Sequence, residues 1–216
     1  MKRNVKVVFR KISTIKTERG KTMLIEEVNQ LLDRGYQSIE TGYFRLPNGQ
    51  MHVRVLTRMP GCKGKMVDWW FGYLDGTETY KKWHPKAHMS LEWDQHWKPG
   101  HYIGASHTIE ENMGGSVLKV RIRFHDPSEF FDISRFEEAN VGAVICGKAY
   151  NPDESPNGMV IHFVRDTDYG CAMRSRFWLF GAPDMAGAGL MRHCIEEMGT
   201  LADFLPNLYG KQTGSK

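Results

Sequence analysis

The side chains best suited to chemistry are histidines and carboxylates in three places along the chain. His193 and Glu197 lie four residues apart, so a helix puts them one turn apart on one face. Leu190, Cys194 and Leu201 fall near the same stripe, which predicts that this face points inward. A bare charge buried there is costly, so the pair needs a partner. A metal ion is one such partner; a buried ion pair or hydrogen bond is the other and the commoner one. The second group is Trp83-His84-Pro85-Lys86-Ala87-His88. Pro85 disfavours a continuous helix through both histidines, and the HExxH glutamate is missing, so a metalloprotease fits poorly. One of the two histidines could bind metal from a loop, whereas His84 beside Trp83 reads as structural. The third group is His107-Thr108-Ile109-Glu110-Glu111, at the end of an expected strand. Alternation puts Ile103, Ala105, His107, Ile109 and Glu111 on one face, and its apolar members favour Glu111 over Glu110 as the buried carboxylate. Together the groups supply two imidazoles and carboxylates from separate elements, a donor set suited to zinc or another first-row divalent ion. An open coordination position would make such an ion catalytic rather than structural.

The elements that must position these groups follow from periodicity and turn residues. Met23–Arg34 has helical apolar spacing and ends at Gly35. Tyr36–Phe44 reads as extended, the Asn-Gly of LPNGQ (46–50) as a tight hairpin turn, and His52–Thr57 as a strand. The aromatic run Val67–Trp83 predicts a helix despite Gly72 and Gly76, stopped by Pro85. Strands are expected over Tyr102–Glu111, Val117–Phe124, Val141–Tyr150, Met159–Arg165 and Ala172–Phe180, with a short helix from Asp126-Pro127 through Glu138. A long amphipathic helix starts at Asp184 and ends near Leu205-Pro206. This order predicts an α+β fold, a curved antiparallel sheet with one long helix laid across it and a cavity between them. Arg174 and Arg176 share one strand face and are expected at the surface or in ion pairs.

Composition narrows the classes. The 216 residues are 41% hydrophobic and show no linker run, which favours a single domain, 1–216, with its core at about 23–206. Much of the mild net charge of +4 lies in the basic segment 1–21, away from the aromatic residues, which argues against nucleic-acid binding. That segment lacks the apolar core and cleavage site of a secretory leader, and no apolar run is long enough to span a membrane. Four cysteines without CxxC spacing suggest reduced thiols and a cytoplasmic location. Residues 210–216 read as a frayed tail.

Longer motifs carry a resemblance. Asp68-Trp69-Trp70-Phe71, Thr77–Lys81 and Trp83–His88 resemble the 2,4-diacetylphloroglucinol hydrolase family, to which phloretin hydrolase is related. The order continues through Tyr102–His107, Glu110-Glu111, Met173–Trp178 and His193–Glu197, covering about residues 50–200. The resemblance implies a helix-grip fold of the Bet v 1 type and a zinc ion held by two His and two Glu. It also implies hydrolysis of an aryl–acyl carbon–carbon bond in a small phenolic ketone. Carried over by position, the ligands fall on His88, one of Glu110 and Glu111, His193 and Glu197; strand parity selects Glu111. Tyr80 matches a tyrosine that holds a phenolic oxygen, and His162 is the candidate for the family's active-site histidine, on a looser match. Ala87 departs from the acidic residue of an HPxDH motif, where a carboxylate would orient a ligand. Tyr169 and Phe177 are both poor candidates for the family's second substrate tyrosine. A non-catalytic helix-grip carrier, or a zinc-dependent cyclase or isomerase, are the rival functions, and homodimerisation is left open.

Overall fold

In a computed structural model of the protein, residues 23–113 and 115–214 are described. The basic segment 1–21 lies outside them. Eight strands form one antiparallel sheet: β1 (Gly42–Arg45), β2 (Met51–Pro60), β3 (His88–Trp93), β4 (Ser106–Asn112), β5 (Val117–His125), β6 (Val141–Tyr150), β7 (Pro156–Thr167) and β8 (Gly170–Leu179). Their order is β1-β2-β8-β7-β6-β5-β4-β3, so the last strand closes onto the first hairpin. Helices α1 (Gly64–Tyr73), α2 (Thr77–Trp83) and α3 (Asp184–Thr213) cover the inner face. This is the expected helix-grip arrangement, a curved sheet wrapped on a long C-terminal helix. No described helix is long and apolar enough to cross a membrane.

Several elements differ from the sequence expectation for identifiable reasons. The single aromatic helix over 67–83 is two helices, because Asp75 accepts a hydrogen bond from Thr79 Oγ1 (2.6 Å) and Gly76 starts a new helix. Asp and Gly both favour such breaks over helix interiors. The strand expected from Tyr102 begins only at Ser106. Gly104, at φ +85°, makes a turn that favours glycine and gives its N–H to the Phe124 carbonyl at 2.9 Å. The segment 126–138 forms two 3-10 turns, Pro127–Glu129 and Ile133–Arg135, each capped by an aspartate accepting from a serine N–H. The first helix is likewise a 3-10 helix, Ile25–Leu32, and the extended segment before β2 is ordered as a strand only from Gly42.

Helix α3 runs past Pro206 to Thr213, so residues 210–213 are helical rather than frayed. A proline inside a helix leaves the carbonyl four residues earlier without its backbone donor. That carbonyl, on Ala202, accepts instead from the Cys62 thiol at 3.7 Å, which removes part of the cost. Helix α1 approaches β6 through Gly64, where an added Cβ would lie 2.2 Å from the Gly142 carbonyl carbon. Only glycine permits that contact, and it sets the depth of the aromatic helix over the sheet.

The sheet is buried on both faces. Inward-facing Val55, Met173, Ile145, Val164 and Phe124 pack with Trp70, Phe71 and Trp83 and with Met198 and Leu201 of α3. On the other face Trp178, Phe163, Ile161 and Phe131 pack under Met23, Val28, Leu31 and Leu32. There Arg174 and Arg176 are indeed ion-paired, to Glu40, but are buried rather than at the surface.

Candidate metal centre and cavity

Strand β3, absent from the sequence expectation, carries His88 at its first position, so this histidine reaches inward from a strand rather than a loop. Its register partner across the ladder is Glu111 of β4. Cross-strand partners sit side by side, so pairing alone brings this imidazole and carboxylate together. Helix α3 supplies the other two groups, with His193 and Glu197 on the face turned to the sheet. Ligand atoms of His88, Glu111, His193 and Glu197 all lie within 4.8 Å of one another, and all four residues are buried. His88 Nε2 is 3.6 Å from Glu111 Oε1 and 3.3 Å from Glu197 Oε1. His193 Nε2 is 3.6 Å from Glu111 Oε2 and 3.9 Å from Glu197 Oε2. Glu110 points the other way, to Lys119 at 3.0 Å.

The surroundings prepare these groups for a guest. His88 Nδ1 donates to the Tyr80 carbonyl at 2.9 Å, which leaves the Nε2 lone pair directed at the carboxylates. The Tyr80 ring stacks on His88 at 3.7 Å, and the Tyr80 hydroxyl donates to Glu111. His84 stacks on His193 at 4.9 Å with the rings 3° from parallel, and the indole of Trp83 donates to the Glu197 carbonyl at 3.1 Å. Burial lowers the pKa values of both His88 and His193, so the imidazoles stay neutral. Burial and the neighbouring Glu197 push Glu111 up to about 7, and burial raises Glu197 as well. The two carboxylates therefore share a dry site without a cation among the described side chains. Neither His88 Nε2 nor His193 Nε2 has a hydrogen-bond partner there.

Unpartnered imidazole nitrogens facing two carboxylates are the donor set of a divalent metal ion. A cation would remove both penalties at once by accepting the lone pairs and neutralising the acids. The residues thus fit a bound metal, and the two-His, two-carboxylate set suits zinc among other first-row ions.

Glu111, His193 and Glu197 of the cluster line a cavity of about 140 Å³ between sheet and helix. Its walls are mostly apolar, including Phe71, Ile109, Val120, Phe124 and Phe177; Tyr80, His107 and His162 are among its few polar groups. His162 comes from β7, and its Nδ1 is 2.8 Å from the hydroxyl of Ser175, its register partner on β8. Burial lowers its pKa to about 4, so the ring is neutral at ordinary pH. Phe177 lines the cavity without a hydroxyl, whereas Tyr169 lies in the β7–β8 turn, 43% exposed, so Tyr80 is the single tyrosine among the described lining residues.

Residues 23–183 match the family described as the DAPG hydrolase PhiG domain. The chain belongs to this family. It is 26% identical to the 2,4-diacetylphloroglucinol hydrolase of Pseudomonas protegens, over 87% of this chain and 73% of that one. It is 25% identical to the phloretin hydrolase of Eubacterium ramulus, over 89% of this chain and 80% of that one. A major latex-like protein of Panax ginseng superposes with a TM-score of 0.49 at 9% identity, covering 71% of this chain and 97% of that one. Within this DAPG hydrolase family member, three features escaped the sequence reading: strand β3, the His84–His193 stack and the isolation of His107. The alternation in His88–Trp93 was the available signal for β3, masked by the Pro85 break just before it.

Proposed function

We propose that this family member is a zinc-dependent hydrolase that cleaves the aryl–acyl carbon–carbon bond of a small acylated polyphenol. The observation that carries the reading is the cluster of two imidazoles and two carboxylates beside a mostly apolar cavity with room for a single small ring. The names of the two curated relatives support the substrate class.

In the overall reaction, water adds to the acyl carbon, the bond from that carbon to the ring breaks, and the ring carbon takes a proton. The products are a carboxylic acid and the deacylated phenol. His88, Glu111, His193 and Glu197 would hold a divalent ion, which would supply Lewis acidity for water attack near neutral pH. The ring is a poor leaving group as a carbanion, so it must be protonated at the carbon that bore the acyl group. Phenolic oxygens ortho and para to that carbon permit this through a keto tautomer. His162, which lines the cavity with its Nδ1 against the Ser175 hydroxyl, would carry that proton. Tyr80 would hold a phenolic oxygen, exchanging its hydrogen bond to Glu111 for one to substrate. The apolar walls exclude bulk water and strengthen each of these polar contacts.

The test is product analysis with 2,4,6-trihydroxyacetophenone in isotopically labelled water. The reading expects phloroglucinol and acetate carrying one label. Unlabelled rearranged product would instead indicate a cyclase or isomerase, and binding without any product a carrier.

A further inference from the structure

One cavity residue is left without a role by this chemistry. His107 of β4 is 4% exposed, and neither of its ring nitrogens has a hydrogen-bond partner among the described residues. Leaving two polar atoms dry and unpaired costs on the order of 1–3 kcal/mol each. The ring is clamped rather than free to seek partners: Trp93 lies 4.8 Å away on one side and Phe124 4.9 Å away, edge to face. It lines the same cavity as the metal cluster. Ile109 separates it from Glu111 on one strand face, so the two backbones are roughly 13 Å apart along β4, at a rise of about 3.3 Å per residue. That spacing places His107 beyond the reacting centre, toward the far side of a bound ring. Burial lowers its pKa to about 3, so it offers one N–H donor and one nitrogen acceptor, the complement of a hydroxyl group.

We propose that His107 determines substrate specificity by hydrogen-bonding the ring oxygen farthest from the acyl group, thereby selecting polyhydroxylated aryl ketones. This rests on the substrate class proposed above. A site that pairs buried polar atoms with a substrate hydroxyl rejects the analogue lacking it far more strongly than an apolar wall does.

The experiment compares 2,4,6-trihydroxyacetophenone with 2,6-dihydroxyacetophenone, which lacks the hydroxyl opposite the acetyl group, by kcat/KM and by Kd from tryptophan quenching. The wild-type protein should prefer the first ketone on the order of 10²-fold or more. His107→Phe, or His107→Leu if the first variant does not fold, should bring that ratio below about 3 by lowering only the trihydroxy value. A variant ratio equal to the wild-type one, or an equal loss on both ketones, overturns the assignment. If neither variant folds, the wild-type ratio decides, with a value below about 10 overturning it. Binding of both ketones without cleavage refutes the reaction but leaves the Kd ratios to decide on His107. Binding of neither overturns both.

Discussion

On the outer face of the sheet, Glu40 meets Arg174 and Arg176; on the inner face, Glu111 and Glu197 meet imidazoles of lowered pKa and the Tyr80 hydroxyl, with no cation among the described side chains. The outer cluster supplies its own counter-charge. Arg174 donates to both Glu40 oxygens, at 3.1 and 2.7 Å, and to the Leu31 carbonyl at 3.1 Å. Burial alone would raise the pKa of Glu40, but the Arg174 hydrogen bond and the Arg176 charge hold it below the usual value. In the inner cluster the shifts run the opposite way, because acids without a cation resist ionising and bases in a dry site resist protonation. Two buried polar sites on one sheet thus differ in one respect: the outer brings its own counter-charge, and the inner has none among the described side chains, a place that a divalent ion would fill. The outer ties the segment 23–40 to the sheet, a structural task; the inner lines a cavity.

This contrast can be broken by substitution. Glu197→Ala is expected to abolish metal content and turnover together while the protein still folds, read by elemental analysis and product assay. Retention of both would equate the two clusters. His162→Ala should leave the metal in place and lower kcat by about 10²–10⁴-fold if it carries the ring proton. Glu40→Ala should do the reverse. It leaves two buried guanidinium groups without their acid and costs about 3 kcal/mol of stability in urea unfolding, with the metal content unchanged.

A further effect on the outer face is read by pH. His52, stacked on Trp178 at 4.8 Å on the outer side, is held to a pKa of about 3 by burial and the nearby Arg54, against 6.5 for a free histidine. The unfolded chain takes up this proton near pH 6.5 and the folded chain does not until about 3. Stability therefore falls as pH drops through that window, by about 1.4 kcal/mol per unit for one such group. Glu40 acts in the same direction at lower pH, since its folded pKa is depressed. Urea midpoints from pH 7 to 4 should show the decline, and His52→Gln should make it shallower.

Much of this was legible in the residues. The inner face of β4 follows from alternation, which separated Glu111 from Glu110, and the i,i+4 spacing of His193 and Glu197 placed both on the buried side of α3. The hairpin at Asn48-Gly49 and six of the strands follow from turn residues and period-2 patterning. What escaped depended on distant partners. Arg174 and Arg176 look like surface residues until Glu40, more than a hundred positions earlier, folds over them. Strand β3 is short, bulged between His88 and Ser90, and fixed chiefly by pairing with β4, which local patterning does not reveal. The passage of α3 through Pro206 needed a thiol from residue 62 to take the freed carbonyl. The loneliness of the His107 ring is a property of packing alone.

The central claim is that the inner cluster is built around a divalent ion. Elemental analysis of the purified wild-type protein and of Glu197→Ala tests it most directly. About one zinc per wild-type chain and none in the variant is the expected result; equal metal in both, or full turnover by metal-stripped wild-type protein, would contradict it.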